Sequence, residues 1–165
     1  MKTLIVCFFL LLLHSLLKAQ IKTPSLKHFL EGSWKGEGKF ANGKEIAATA
    51  SFKWSLDSCW LIYTHEDLPP NRYKAISLWS VDRSKQSFSV DIFDNFHGHR
   101  LFAGIQPSED EVILNATDTL VKATRFFQRF VYTKLDDHRF KMSYEVSKDN
   151  VNWQLGDSLV FIKIQ

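Results

Sequence analysis

Cysteine is scarce in this chain, with two residues among 165. Cys7 lies in the apolar run at residues 4–13, so a chain without that run keeps Cys59 alone. An internal disulfide is then excluded, and the hydrophobic core has to supply the stability. The material is present, because the chain has 14 phenylalanines, 5 tryptophans and 4 tyrosines, and only Phe8 and Phe9 lie in the run.

A surplus of positive charge is missing as well. The chain has 21 basic and 18 acidic residues, and two of the basic ones, Lys2 and Lys18, flank the apolar run. Without those two, the charges nearly cancel. Because a nucleic-acid partner requires a basic surplus to neutralise phosphates, we do not expect one.

Apolar runs long enough to span a bilayer are also absent. The run at residues 4–13 follows a basic start and leads to Ala19 before Gln20, which is the pattern of a secretory signal cleaved after Ala19. We therefore expect residues 1–19 to be a signal peptide. Residues 20–165 would then be one domain, periplasmic or secreted, without stable membrane insertion. An uncleaved anchor is the alternative.

Catalytic and metal-binding motifs are lacking too. There is no Gly-x-Ser-x-Gly motif, and no glycine-rich loop precedes a helix to hold phosphate. Cys59 has no signature of a neighbouring base and is expected to be a small buried residue. His97 and His99, with His65 as a third candidate, have spacing that zinc can use, but they flank a glycine in an expected turn. We expect no metal site, no cofactor and no catalytic residue.

The chain does contain segments in which apolar and polar residues alternate. In residues 32–40, apolar or glycyl positions alternate strictly with polar ones, which predicts a strand with one buried face. Gly32, Gly36 and Gly38 lie on that face. Glycine weakens a strand, so we expect a sharp bend, a bulge or a cavity there. A bent first strand with Trp34 on its inner face is typical of a small β-barrel.

Turn-forming residues divide the rest of the chain into short strands. We predict ten strands, at residues 32–40, 45–56, 59–66, 72–81, 87–94, 99–106, 111–118, 122–134, 138–147 and 155–164. Thr23 and Pro24 begin a short helix ahead of them. Short strands without crossover helices indicate an all-β fold, an antiparallel up-and-down β-barrel of about 8–10 strands with a short N-terminal helix. A two-sheet sandwich is the alternative.

Two motifs carry a family resemblance. The Gly-x-Trp-x-Gly-x-Gly motif at residues 32–38 and the Ser-Lys-Asp-x-x-x-Trp segment at 147–153, after an export signal and a short helix, resemble those of the lipocalin-like (calycin) proteins. Exported bacterial lipocalin-like domains are the most similar branch, over residues 28–165. The resemblance implies that Trp34 closes one barrel end with Lys163 as its cation–π partner, where lipocalins usually have arginine.

Amphipathic aromatics on the predicted inner faces are the candidate ligand-binding residues. On the second strand, the small residues Ala48 and Ala50 lie near a tryptophan, which favours a cavity. Later strands add hydroxyl and imidazole groups, the usual lining of small-molecule sites. The candidates are Trp54, Tyr63, His65, Trp79 and Tyr144. The alternative is that these side chains fill the barrel.

Arg129 is a further candidate, as an inward counter-ion for a ligand carboxylate. Both faces of its strand are mixed, so periodicity does not say which face is inner. The alternative is an outer-surface ion pair with Glu145 or with aspartates on neighbouring strands.

These observations predict an exported lipocalin-like protein that binds a small apolar or amphipathic molecule inside its barrel, without catalysis. An enzyme on the same barrel, with His65 as general acid or base, is one alternative. A filled barrel with a structural or interaction role is the other. Fold alone does not choose among them, and the sequence specifies neither the ligand nor the oligomeric state.

Overall fold

The computed structural model describes residues 29–82, 87–117, 120–121 and 124–164. The predicted signal peptide and most of the predicted helix lie outside these residues. The described ranges contain no helix that is long and apolar enough to cross a membrane. Their strands are β1 (Gly32–Phe40), β2 (Glu45–Ser55), β3 (Trp60–Asp67), β4 (Lys74–Asp82), β5 (Ser87–Asp94), β6 (His99–Ser108), β7 (Glu111–Ala116), β8 (Leu120–Val121), β9 (Thr124–Arg125), β10 (Phe127–Asp136), β11 (Arg139–Ser147) and β12 (Gln154–Ile164).

Ten of these strands form a closed antiparallel barrel in the order β1-β12-β11-β10-β7-β6-β5-β4-β3-β2. The ring closes because β1 pairs with β2 on one side and with β12 on the other, where Trp34 lies opposite Lys163. The predicted all-β antiparallel barrel is confirmed. A continuous ring excludes the two-sheet sandwich.

One region of the strand pattern differs from the prediction. The sequence predicts a single strand at residues 122–134, whereas the barrel strand β10 begins at Phe127. Ahead of it, β8 and β9 form a separate two-stranded sheet in which Leu120 pairs with Arg125. Residues 119–133 contain neither glycine nor proline, so no turn signal separates the two segments in the sequence.

The glycines of β1 allow close contact with β12. A Cβ atom at Gly36 would lie 2.5 Å from the ring of Phe161, and one at Gly38 would collide with the backbone carbonyl of Ser158. Close approach of a neighbouring strand therefore accounts for both glycines, and the pairing of β1 with β2 and β12 runs without a bulge.

Aromatic side chains fill the half of the barrel around the start of β1. Trp34 is fully buried, and its Nε1 donates to the Leu30 carbonyl at 2.9 Å. Its ring centroid lies 4.8 Å from that of Phe140, which in turn stacks on Phe161 at 4.8 Å. This solid half is termed the Trp34 end. The opposite end, where β1 ends and β12 begins, is termed the mouth.

Candidate functional site

A cavity of about 270 Å³ occupies the mouth half of the barrel. Apolar side chains supply one part of its wall, and side chains with hydroxyl, imidazole, carboxyl or guanidinium groups supply the other. The first set is Phe40, Ile46, Ala75, Ile92, Phe130, Met142 and Leu159, and the second is Tyr63, His65, Asp67, Tyr73, Ser77, Arg100, Tyr132, Tyr144 and Asp157. An apolar pocket with convergent polar groups is the usual makeup of a small-molecule site. This space, termed the mouth cavity, is the candidate site.

Strand β3 places three polar side chains in a row on the cavity wall. Tyr63, His65 and Asp67 occupy alternate positions and are all buried, so they share the inner face. His65 Nε2 lies 2.8 Å from Asp67 Oδ1, and its Nδ1 lies 2.9 Å from the Tyr63 hydroxyl. An ionised carboxylate only accepts, so Nε2 donates to Asp67 while Nδ1 is occupied by Tyr63. Both imidazole nitrogens are engaged within the protein.

Arg100 brings a positive charge to the cavity from the start of β6. Its Nη2 donates to the Tyr73 hydroxyl at 2.8 Å and lies 3.7 Å from Asp94 Oδ2. Asp94 is fixed by its own turn, because its Oδ1 accepts from the Gly98 amide at 2.9 Å. The guanidinium charge is thus partly balanced by a carboxylate of the protein.

Asp157 brings a carboxyl group from β12. The pairing of β11 with β12 shifts between Tyr144 and Glu145, which leaves Gly156 as an extra residue in β12. A Cβ atom at Gly156 would lie 2.7 Å from the Tyr144 ring, so a side chain there would force the ring to move. Beyond this bulge, Asp157 and Leu159 line the cavity.

Burial sets the protonation behaviour of these groups. It raises the pKa of Asp157 to about 6, with His65 lowering that pKa and Asp67 raising it. Burial likewise raises the pKa of Tyr63 and of Tyr132 well above the ordinary tyrosine value, so both hydroxyls stay neutral near pH 7. The cavity therefore contains a carboxyl group that titrates close to physiological pH.

Three of the predicted ligand-binding residues line the mouth cavity: Tyr63, His65 and Tyr144. The Tyr144 hydroxyl donates to Gln128 Oε1 at 2.8 Å, which leaves mainly its ring to contact a ligand. The structure thus brings the β3 and β11 candidates together at one end of the barrel.

Two predicted residues pack in the core instead. Trp79 is fully buried, with its ring centroid 5.4 Å from that of Tyr132. Trp54 lies near the end of β2 and packs, partly buried, against the same core. Neither side chain lines the mouth cavity.

Arg129 lies outside the mouth cavity. Its guanidinium pairs with Glu145 at 2.6 Å and lies 4.0 Å from the centroid of the Trp153 ring. The next residue, Phe130, takes the inward position on β10, and alternation then directs Arg129 outward. The inward counter-ion is not observed, and the outer ion pair is.

Trp34 and Lys163 lie at the opposite end of the barrel from the cavity. The Lys163 Nζ atom is 5.3 Å from the centroid of the Trp34 ring, within the range of a cation–π contact. The predicted contact between Lys163 and Trp34 is therefore present.

The sequence argument missed three charged groups of the cavity: Asp67, Arg100 and Asp157. Extending the alternation of Tyr63 and His65 by two residues finds Asp67, which the predicted strand 59–66 stopped short of. The positions of Arg100 and Asp157 have weaker signals. Arg100 directly follows a turn, and Asp157 shares the parity of the buried Leu159 and Phe161 but directly follows the bulge at Gly156.

The structure also shows where Cys59 lies and how far apart the candidate metal-binding histidines are. Cys59 is exposed in the turn between β2 and β3, which corrects the expectation that it is buried. His99 lies half exposed beside Asp91, with Nε2 and Oδ1 3.0 Å apart, whereas His65 is inside the barrel. Within the described ranges, no three His, Cys, Asp or Glu side chains are grouped to hold a metal ion.

A second concavity, of about 620 Å³, runs along the outside of the barrel across β1 to β5. Its wall is largely made of exposed side chains, and its charged pair Lys74 and Glu66 form an ion pair with each other. Open grooves of this kind bury little of a ligand, so the mouth cavity is the better candidate.

Comparison with known proteins supports the fold. The structure is similar to the crystal structure of Rv2717c from M. tuberculosis, with a TM-score of 0.59 and 16% sequence identity, over 86% of this chain and 98% of that chain. At this identity, the likeness shows a shared barrel fold alone. No protein-family model matches the chain, and no curated protein matches its sequence.

Proposed function

We propose that this chain is an exported lipocalin-like protein, with a signal peptide at residues 1–19, that binds a small apolar or amphipathic molecule in the mouth cavity without chemistry. The observation that carries the proposal is the asymmetry of the barrel interior. Aromatic rings fill the Trp34 end, whereas the mouth half keeps a cavity with convergent polar groups. At about 270 Å³, the cavity lies just below the roughly 300 Å³ at which small-molecule pockets begin, so only a ligand of modest size fits there.

The arrangement around His65 leaves neither ring nitrogen free for direct proton transfer with a ligand. A general base needs a lone pair directed at the substrate, and a general acid needs a proton directed at it. Here one ring nitrogen contacts Asp67 and the other contacts Tyr63, both at less than 3 Å. The His65 ring therefore holds the side chains of Asp67 and Tyr63 in place on the cavity wall.

Blocking the cavity tests this proposal. Prodan, a neutral naphthalene dye whose emission moves to the blue in apolar surroundings, is titrated into the protein. Ala75→Trp fills the cavity from β4 and should abolish the blue-shifted emission. Ala103→Trp adds the same side chain at an exposed position of β6 and should leave dye binding unchanged.

Circular dichroism on both variants checks that each retains the barrel. Equal binding of prodan to the Ala75→Trp and Ala103→Trp proteins, or no binding to the unmodified chain, would contradict the proposal. Native mass spectrometry of protein from its own host then gives the mass of any retained ligand.

A further inference from the structure

The charged groups of the mouth cavity do not balance one another. Arg100 lies beside Asp94, and Asp67 contacts His65, so each of these charges has a neighbour of suitable type. Asp157 is close enough to His65 for that ring to lower its pKa, but among the described side chains no donor forms a hydrogen bond with its carboxyl group. The cavity thus holds one acidic group more than its own cations compensate.

A second polar group in the cavity also lacks a partner. Tyr132 is 3% exposed, yet its hydroxyl forms no hydrogen bond with any described residue and lies on the cavity wall. Both groups face the open space of the mouth cavity rather than packed protein. A ligand in that space is therefore placed to supply the hydrogen bonds that the described residues do not.

The aromatic side chains of the cavity wall also favour a positively charged ligand. The rings of Phe130 and Tyr144 lie with centroids 5.1 Å apart, and those of Tyr63 and Tyr132 meet nearly at right angles, 6.4 Å apart. Aromatic faces carry partial negative charge and attract cations. A carboxylate ligand, in contrast, would meet both these rings and an uncompensated acid.

We infer that the mouth cavity recognises the protonated nitrogen of a small amphipathic amine, with Asp157 and the Tyr132 hydroxyl as its acceptors. The apolar part of the ligand lies against Phe130, Met142 and Leu159. This inference rests on the proposed function and adds the chemical class of the ligand. The titratable or charged groups that surround this position are His65 and Asp67 on β3, Tyr73 before β4, Arg100 on β6 and Tyr144 on β11, together with Tyr63.

Three ligands of nearly equal size separate charge from shape. Isothermal titration calorimetry at pH 7.5 compares 2-phenylethylamine, a cation, with the neutral 2-phenylethanol and the anion phenylacetate. The amine should bind about tenfold more tightly than the alcohol, and phenylacetate should bind most weakly. Asp157→Asn should remove the preference for the amine while the alcohol still binds. Glu37→Gln changes an exposed acid on the outer face of β1 and should keep the preference.

The possible results distinguish this inference from the proposed function. Tight binding of phenylacetate that is lost in Arg100→Gln would overturn the inference, because the ligand would then be an acid. Equal binding of all three compounds would also overturn it, yet leave the proposed function intact. No binding of any compound, together with no binding of prodan, would contradict both. The unmodified chain gives these answers even if a variant fails to fold.

Discussion

At the scale of single residues, the surroundings of Asp157, in the candidate site, differ from those of a carboxylate that stabilises a loop. Asp149, in the loop before the same strand, accepts hydrogen bonds from the Asn152 and Val151 amides, and these hold its pKa below the ordinary value. Asp157 has the opposite surroundings, because burial raises its pKa to about 6. The Asp149 carboxylate stabilises a loop, whereas burial of the Asp157 carboxylate lowers the stability of the folded chain.

The pH dependence of stability follows from this difference. The pKa of Asp157 is about 6 in the folded chain against an ordinary value of 3.8, so the folded state binds the proton more tightly. The free energy of unfolding therefore falls as pH rises from about 4 to about 6. Asp157→Asn removes this loss and should stabilise the protein above pH 6 by about 1–2 kcal/mol, allowing for partial solvent access.

Urea denaturation at pH 4, 5, 6 and 7.5 measures this effect. The stability difference between Asp157→Asn and the unmodified chain should increase through this range and then level off. Asp149→Asn, as the control, should show a nearly constant difference over this range, because the lowered pKa of that carboxyl confines its titration to below about pH 4. A difference for Asp157→Asn that stays constant with pH would show that its pKa is not raised.

At the scale of elements, the contact between β1 and β12 closes the ring and depends on glycine. Gly36 and Gly38 lie where the Phe161 ring and the Ser158 carbonyl approach β1. A flexible side chain can move away from an added methyl group, but a backbone carbonyl in a paired strand has little freedom. Gly38 is therefore the less replaceable of the two.

Alanine substitutions of glycine test this contact. Gly38→Ala should destabilise the barrel by more than about 3 kcal/mol, or prevent folding, because relief of the collision requires the strands to separate. Gly43→Ala, in the β1–β2 turn, should cost about 1 kcal/mol, since its φ of 84° is strained for alanine but nothing lies within 4 Å. Urea midpoints give both values, and similar losses for the two variants would rule out this account of the seam.

A loop motif at the same scale has a structural explanation. In the Ser-Lys-Asp segment that resembles lipocalin-like proteins, the Ser147 hydroxyl accepts from the Asp149 and Asn150 amides. Asp149 Oδ1 in turn accepts from the Val151 amide at 2.9 Å. These bonds build the turn before β12, and Trp153 then packs on Arg129 from outside the barrel. The motif supports the mouth rather than contacting the cavity.

At the scale of the whole molecule, the barrel was predictable because it depends on patterns that repeat along the chain. Alternation and turn residues place nearly every strand, and strands without crossovers leave few topologies. The site was less predictable, since it depends on single events. Alternation back from Phe161 and Leu159 reaches Asp157, but it does not show that the barrel interior stays open beside this carboxyl group. The mixed faces of β10 similarly left the direction of Arg129 open until its partners Glu145 and Trp153 were known.

Occupation of the mouth cavity is the central claim for the whole molecule, and Met142 offers a direct probe of it. Met142 lines the cavity and is the only methionine in the chain besides Met1. Its methyl signal can therefore be followed by NMR in protein labelled with ¹³C-methyl methionine, as 2-phenylethanol is added. An aromatic ring inside the cavity should shift the Met142 signal to a saturating limit, and Ala75→Trp should abolish the shift. A Met142 signal that stays unchanged at saturating 2-phenylethanol would contradict the account.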